Sequence, residues 1–259
     1  MNARNPLAIF FALAAGALAT SCGVGPDEIL QQARLQGESG TLAGVQIKTW
    51  ATLGPGGRVD RVGFTVPSGA VEAATEAQEL VLALPDEVKR ATFLDHLQID
   101  YQLSEHAQVG VYKGGQFEFR FFGIDAIERA QINCVNEPMP TATTLPEPYL
   151  VPGTGLAPEG SCVPGVGVHA YDPTAPGVDP DSTEPFTSTL GLGYHKGALA
   201  FVEGVAADSL LDNQKDFALA IPAVELLGRS TLFPGAIIGQ YSAEEDAYLV
   251  YVEAFSPDE

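Results

Sequence analysis

The residues best suited to chemistry lie on one short stretch. From Gln116 to Phe121 polar and aromatic side chains alternate strictly. A strand there places Gln116, Glu118 and Arg120 on one face and Phe117, Phe119 and Phe121 on the other, because strand side chains point to opposite faces with a period of two. An amide, a carboxylate and a guanidinium held over three rings could bind an ion, orient a polar ligand or move a proton. No familiar linear motif names a reaction: there is no G-x-S-x-G elbow, H-E-x-x-H helix, Walker loop or zinc-type cysteine pair. Residues 191–197 (GLGYHKG) superficially resemble a phosphate loop, but they lie between two strand patterns instead of opening a helix, which favours a hairpin turn. Asp179, Asp181 and Glu184 could offer oxygens to calcium. Without EF-hand spacing they read more simply as a solvated acidic loop.

The elements that must position this stretch are short and mostly extended. Alternating patterns occupy Val45–Thr52, Arg61–Val66, Leu80–Leu84, Leu97–Leu103, Val109–Tyr112, Gln116–Phe122, Thr187–Tyr194, Ala198–Glu203, Ala236–Tyr241 and Ala247–Ala254. Many short strands punctuated by Gly and Pro predict a mainly β fold, a sandwich or barrel of antiparallel sheets with a few short helices. Residues 54–57 (GPGG) make the turn between the first two strands. The helical stretches are Asp27–Leu35, Ser68–Leu80, a piece opened by Asp125 with Glu128 at capping-box spacing, Ala206–Asn213 and Pro222–Leu227. Residues 138–185 hold 11 of the 19 prolines. They could be a linker, but recurring turns favour a long excursion on a single β-rich domain spanning 41–256.

The N-terminus reads as an export signal, residues 1–21, followed by a tether, residues 22–40. Arg4 precedes an apolar run from Leu7 to Leu18, too short for a hydrocarbon core of about 30 Å. The small residues leading into Cys22 resemble a bacterial lipobox, which implies lipidation of Cys22 and a membrane anchor in the cell envelope. Ordinary secretion with a free Cys22 is the alternative. Cys134 and Cys162 then form an even pair, most simply a disulfide in an oxidising compartment, with a metal site sharing His169 as the alternative. The pair pins the excursion of residues 135–186. With 33 acidic against 13 basic residues the formal net charge is −20. That argues against nucleic acid as a partner and against direct attraction to anionic head groups.

Further pieces carry a resemblance. Residues 49–57 (TWATLGPGG), 93–96 (FLDH) with Ile99, Asp100 and Tyr101, His106, and 110–112 (GVY) come first. Residues 165–169 (GVGVH) with Asp172, 185–189 (PFTST), Gly193, Tyr194, Gly197 and 201–203 (FVE) follow in order. This set, over about residues 40–255, resembles the TTHB-two-ten-like family of exported bacterial proteins of unknown function. The family pattern places a His-Phe-Asp-Phe-His-Phe-Tyr run where this chain has Gln116 to Phe122. Clustered histidines with a carboxylate would suit a transition metal. Here both strand histidines are replaced, while His96, His106, His169 and Glu203 stand at matching positions; His195 does not match and reads as a hydrogen-bonded structural residue.

Two readings follow from the resemblance. In one, His96, His106, Glu118, His169 and Glu203 still hold a transition metal. In the other the site is dismantled, and Arg120 pairs with Glu118 or Glu203. The second is favoured because a guanidinium is always charged and only donates, so it cannot be a ligand and repels a dication. The expectation is therefore a lipid-anchored envelope protein with a non-catalytic binding or structural role and no cofactor. The alternative is a metal-binding protein with redox or hydrolytic activity. The resemblance also implies self-association into a homo-oligomer.

Overall fold

A computed structural model describes residues 34–103, 114–151, 161–178, 184–224 and 231–257. The first strand is β1 (Arg34–Leu42), and alternating stretches become β2 (Val45–Leu53), β3 (Val59–Pro67), β4 (Gln78–Ala83), β5 (His96–Gln102) and β6 (Gln116–Phe122). After the excursion begins come β7 (Cys162–Val163), β8 (Gly167–Tyr171), β9 (Ser188–His195), β10 (Ala198–Ala207), β11 (Phe217–Ala220), β12 (Leu232–Phe233), β13 (Ala236–Ser242), β14 (Ala247–Glu253) and β15 (Ser256–Pro257). The four short helices are α1 (Ser68–Ala73), α2 (Asp86–Ala91), α3 (Ala126–Arg129) and α4 (Asp208–Asp212). None of the described helices is long and apolar enough to cross a membrane.

The strands form a six-stranded sheet ordered β1-β2-β3-β14-β13-β11 and a seven-stranded sheet ordered β4-β5-β6-β10-β9-β8-β7. Every named strand pair is antiparallel. The protein is thus mainly β, with two sheets closing on a common core, as the alternation implies. Phe64 of β3 meets Phe119 and Phe121 of β6 at ring-centroid distances of 6.1 and 5.9 Å. Phe117, Phe119 and Phe121 are fully buried, and each such ring contributes roughly 1.5–3 kcal/mol of burial. That packing fixes which face of β6 turns away from the core.

The turns are built from residues that accept a left-handed backbone. Lys196 (φ 54°) and Gly197 (φ 76°) join β9 to β10 as a two-residue hairpin, the geometry that matches strand twist. The GLGYHKG segment is therefore strand and turn. Gly56 (φ 75°) and Gly57 (φ 74°) lie in the longer turn, residues 54–58, between β2 and β3. Asp125 caps α3 by accepting a 2.7 Å hydrogen bond from the Glu128 N–H.

Several expectations need correction. The tether reading ends early, because β1 starts at Arg34 and pairs with β2. Its two glycines and mixed charges hide it, since an edge strand can be held by backbone bonds and little else. Leu35 belongs to that strand, and residues 27–33 lie outside the described residues. The stretch from Ser68 to Leu80 divides into α1 and β4, the helix closing where the Ala74 N–H donates to Val71 O. Pro222 to Val224 are not helical; residues 225–227 and the expected strand 109–112 lie outside the described residues.

Cys134 and Cys162 are joined as a disulfide across 28 residues, with Cα atoms 5.6 Å apart. It ties the start of the excursion to β7 at the margin of the larger sheet. Described parts of the excursion also reach the outer face of that sheet. Val178 and Phe186 pack with Val205 and Ala207 of β10.

A buried ion cluster as the candidate functional site

The strand register sets the site in rows across the outer face of the seven-stranded sheet. Arg120 sits at the centre of β6, opposite Gln98 of β5 on one side and Glu203 of β10 on the other. One step along the face, Glu118 stands opposite Asp100. The guanidinium therefore reaches three carboxylates from three strands. Its Nη1 donates to Asp100, its Nη2 donates to Glu118, and its Nε lies 2.5 Å from Glu203 Oε1. Amide side chains complete the rim: Gln98 Nε2 donates to both oxygens of Asp100 at 2.7 and 2.8 Å, and Gln116 Nε2 donates to Glu118 Oε1 at 2.8 Å.

None of this is open to solvent. Asp100, Glu118, Arg120 and Glu203 are each 4 % exposed or less. A missing side chain on β9 makes room for one of them: a Cβ on Gly191 would come within 2.7 Å of Glu203 Oε2. Three carboxylates against one guanidinium leave an excess of negative charge away from water. Burial, reinforced by the charge of Glu203, pushes the Glu118 carboxyl up to about 8, against a smaller downward pull from the Gln116 hydrogen bond. At neutral pH Glu118 accordingly keeps its proton, which is the cheapest way to shed a buried charge.

The histidines lie in a different row. His96 of β5, Phe122 of β6, Phe201 of β10, Gly193 of β9 and His169 of β8 are successive cross-strand partners. His96 stacks on Phe122 at 4.7 Å, Phe122 meets Phe201 at 4.9 Å, and His169 meets the edge of Phe201 at 5.4 Å. Two rings thus stand between His96 and His169. The Phe201 ring fills the space above Gly193, where a Cβ would collide with it. His96 Nδ1 is 3.0 Å from Asp95 Oδ1, and its Nε2 is 3.4 Å from Arg129 Nη1. The Arg129 guanidinium also lies 4.6 Å over the Phe122 ring and donates from Nε to Gly165 O at 2.7 Å. Burial, aided by Arg129, holds the His96 imidazolium below its usual pKa despite the Asp95 hydrogen bond.

Of the residues singled out in the sequence, Glu118, Arg120 and Glu203 come together. His96 and His169 do not join them, and His106 and Cys22 lie outside the described residues. Among the described residues, no three His, Cys, Asp or Glu side chains converge as the ligands of a metal would. His195 is buried with Nδ1 2.8 Å from Glu137 Oε1, away from the cluster. Asp100 and Gln98 complete the site but were not picked out as its members. The alternation of β5 puts both on the polar face, which is the signal that could have found them. The arrangement offers neither a nucleophile poised by a base nor a free side on a cation; what it can do is hold a proton and clamp three central strands.

No protein-family model matches the sequence, and comparison with curated proteins and with solved structures found no match.

Proposed function

We propose that this chain is an exported, lipid-anchored envelope protein with a non-catalytic binding or structural role. Its resemblance to the TTHB-two-ten-like family implies a His/acid site, and on this reading the chain carries a dismantled version of it. The observation that carries the reading is the position of Arg120, enclosed by Asp100, Glu118 and Glu203. A guanidinium there supplies the positive charge that a metal would supply, without an exchangeable ligand position. Lipidation at Cys22 and the membrane as partner rest on the leader-like N-terminus.

Elemental analysis of the exported mature protein tests the site. The expected result is far less than one transition-metal ion per chain after dialysis against a metal-containing buffer. One tightly held equivalent would overturn the reading in favour of a metal protein. Labelling with a radioactive fatty acid tests the anchor: incorporation that disappears in Cys22→Ala supports it, and secretion of unlabelled wild-type protein overturns it.

A further inference from the structure

At one end of the sandwich, away from the ion cluster's face, α1 and α4 lie side by side over the tip of β5. Between them is a cleft of about 470 Å³, within the size range of small-molecule sites. Its walls carry Glu72 of α1 and Asp208 and Asp212 of α4. The last two are four residues apart on one helix, a spacing that brings like charges together. Its floor is apolar, formed by Val71 and Leu211, which are 7 and 2 % exposed.

Acidic side chains alone would describe a solvated rim, and the second observation is Tyr101. Its ring is packed on Phe117 at 4.8 Å, the residue is 5 % exposed, and its phenol borders the cleft. Among the described residues that phenol makes no hydrogen bond. The close approach depends on Gly115, where a Cβ would crowd both the Tyr101 oxygen and the Asp208 carboxylate. The ring is held by the core while the hydroxyl reaches the cleft, where a ligand can exchange a hydrogen bond with it. Burial together with Asp208 and Asp212 raises the Tyr101 phenol above its ordinary value, so it stays protonated and available as donor or acceptor.

The three carboxylates do not converge as a metal's ligands would. They are spread around an apolar floor, which suits a cation whose charge is spread along a chain. We propose that this cleft binds an alkyl di- or polyammonium ion, its ammonium groups on Glu72, Asp208 and Asp212, its methylenes on Val71 and Leu211, and one N–H directed to Tyr101.

Isothermal titration calorimetry of the whole mature protein with spermidine and with 1,5-diaminopentane at low ionic strength tests this, with Mg²⁺ as comparator. One saturable site is expected, weakened about tenfold in Asp208→Asn and in Glu72→Gln, the loss of one charged hydrogen bond. Tyr101→Phe, which keeps the packed ring, should weaken it by about threefold or more. Binding should be unchanged in the surface variants Glu87→Gln, on α2, and Glu147→Gln, in the excursion. Thermal melts establish that each variant is folded. The proposal is overturned if neither amine saturates a site in the millimolar range, if the surface variants weaken binding as much as the cleft variants, or if Mg²⁺ binds as tightly with the same dependence on Glu72 and Asp208.

Discussion

Glu203 is the cross-strand partner of Arg120, and the two side chains meet at 2.5 Å with 4 and 3 % exposure. Breaking a buried pair is costly because the partner's charge is left behind. Here Arg120→Met leaves Asp100 and Glu203 without their cation and Glu118 without its donor. It should destabilise the fold by about 3–5 kcal/mol at neutral pH, measured by urea denaturation. Glu203→Gln, which leaves Arg120 facing Asp100 and Glu118, should cost less. Equal stability of Arg120→Met and wild type would show that the cluster is hydrated and not clamped.

Glu118 makes stability depend on pH in a defined direction. Its folded value of about 8 lies above the ordinary 4.5, so between those values the folded state binds the extra proton. Stability therefore falls as pH rises through that window and levels off above it, by an amount on the order of a few kcal/mol. Glu118→Gln imitates the protonated group and should flatten the profile, with its largest relative gain at alkaline pH. Chemical denaturation at a series of pH values reads this directly.

His96 acts with the opposite sign. Its folded pKa lies below the ordinary 6.5, so the unfolded chain binds the proton first and stability is lost as pH falls below that value. Where the two windows overlap, below pH 6.5, the His96 contribution grows with pH and offsets part of the loss from Glu118. In His96→Gln the acid limb should retreat while the Glu118 limb stays, a separation that denaturation at each pH can resolve.

Gly193 is required by the ring beside it. A Cβ there would collide with Phe201, which itself rests on Phe122 and His169. Gly193→Ala should cost about 1–3 kcal/mol through overpacking, seen as a lower melting temperature. Gly44→Ala meets no neighbour at its Cβ but pays for a positive φ of 78°, and serves as a comparison in which only the backbone is strained.

Much of the architecture is legible in the residues, and its limits have physical causes. The alternation from Gln116 to Phe121 assigns both faces of β6 because one face must be dry. The same logic places Gln98 and Asp100 on the polar face of β5. What alternation cannot supply is register, and register decides that Arg120 faces Glu203 while His96 and His169 fall in the neighbouring row. Two phenylalanines then keep the imidazoles apart. β1 escaped notice because Gly37 and Gly40 carry no pattern, although a Cβ at Gly37 would strike Thr49 Oγ1. α2, six residues long, is too short to show a helical period. The long excursion hid a different fact: its described parts include β7 and β8 of the larger sheet and pack on the outer face of β10.

The disulfide at β7 has a consequence for how the protein meets its own copies. β8 lies near one margin of the larger sheet, and two fragments of the excursion occupy its outer side. Cys162 and Val163 pair with it, Ser161 O accepts from the His169 N–H, and Leu150 exchanges two hydrogen bonds with Tyr171. The link from Cys134 to Cys162 holds this patchwork in place. Without it, a row of unsatisfied amides and carbonyls on β8 becomes a template for another chain. The bond therefore guards against edge-to-edge aggregation, and reduction should register first as growth in particle size.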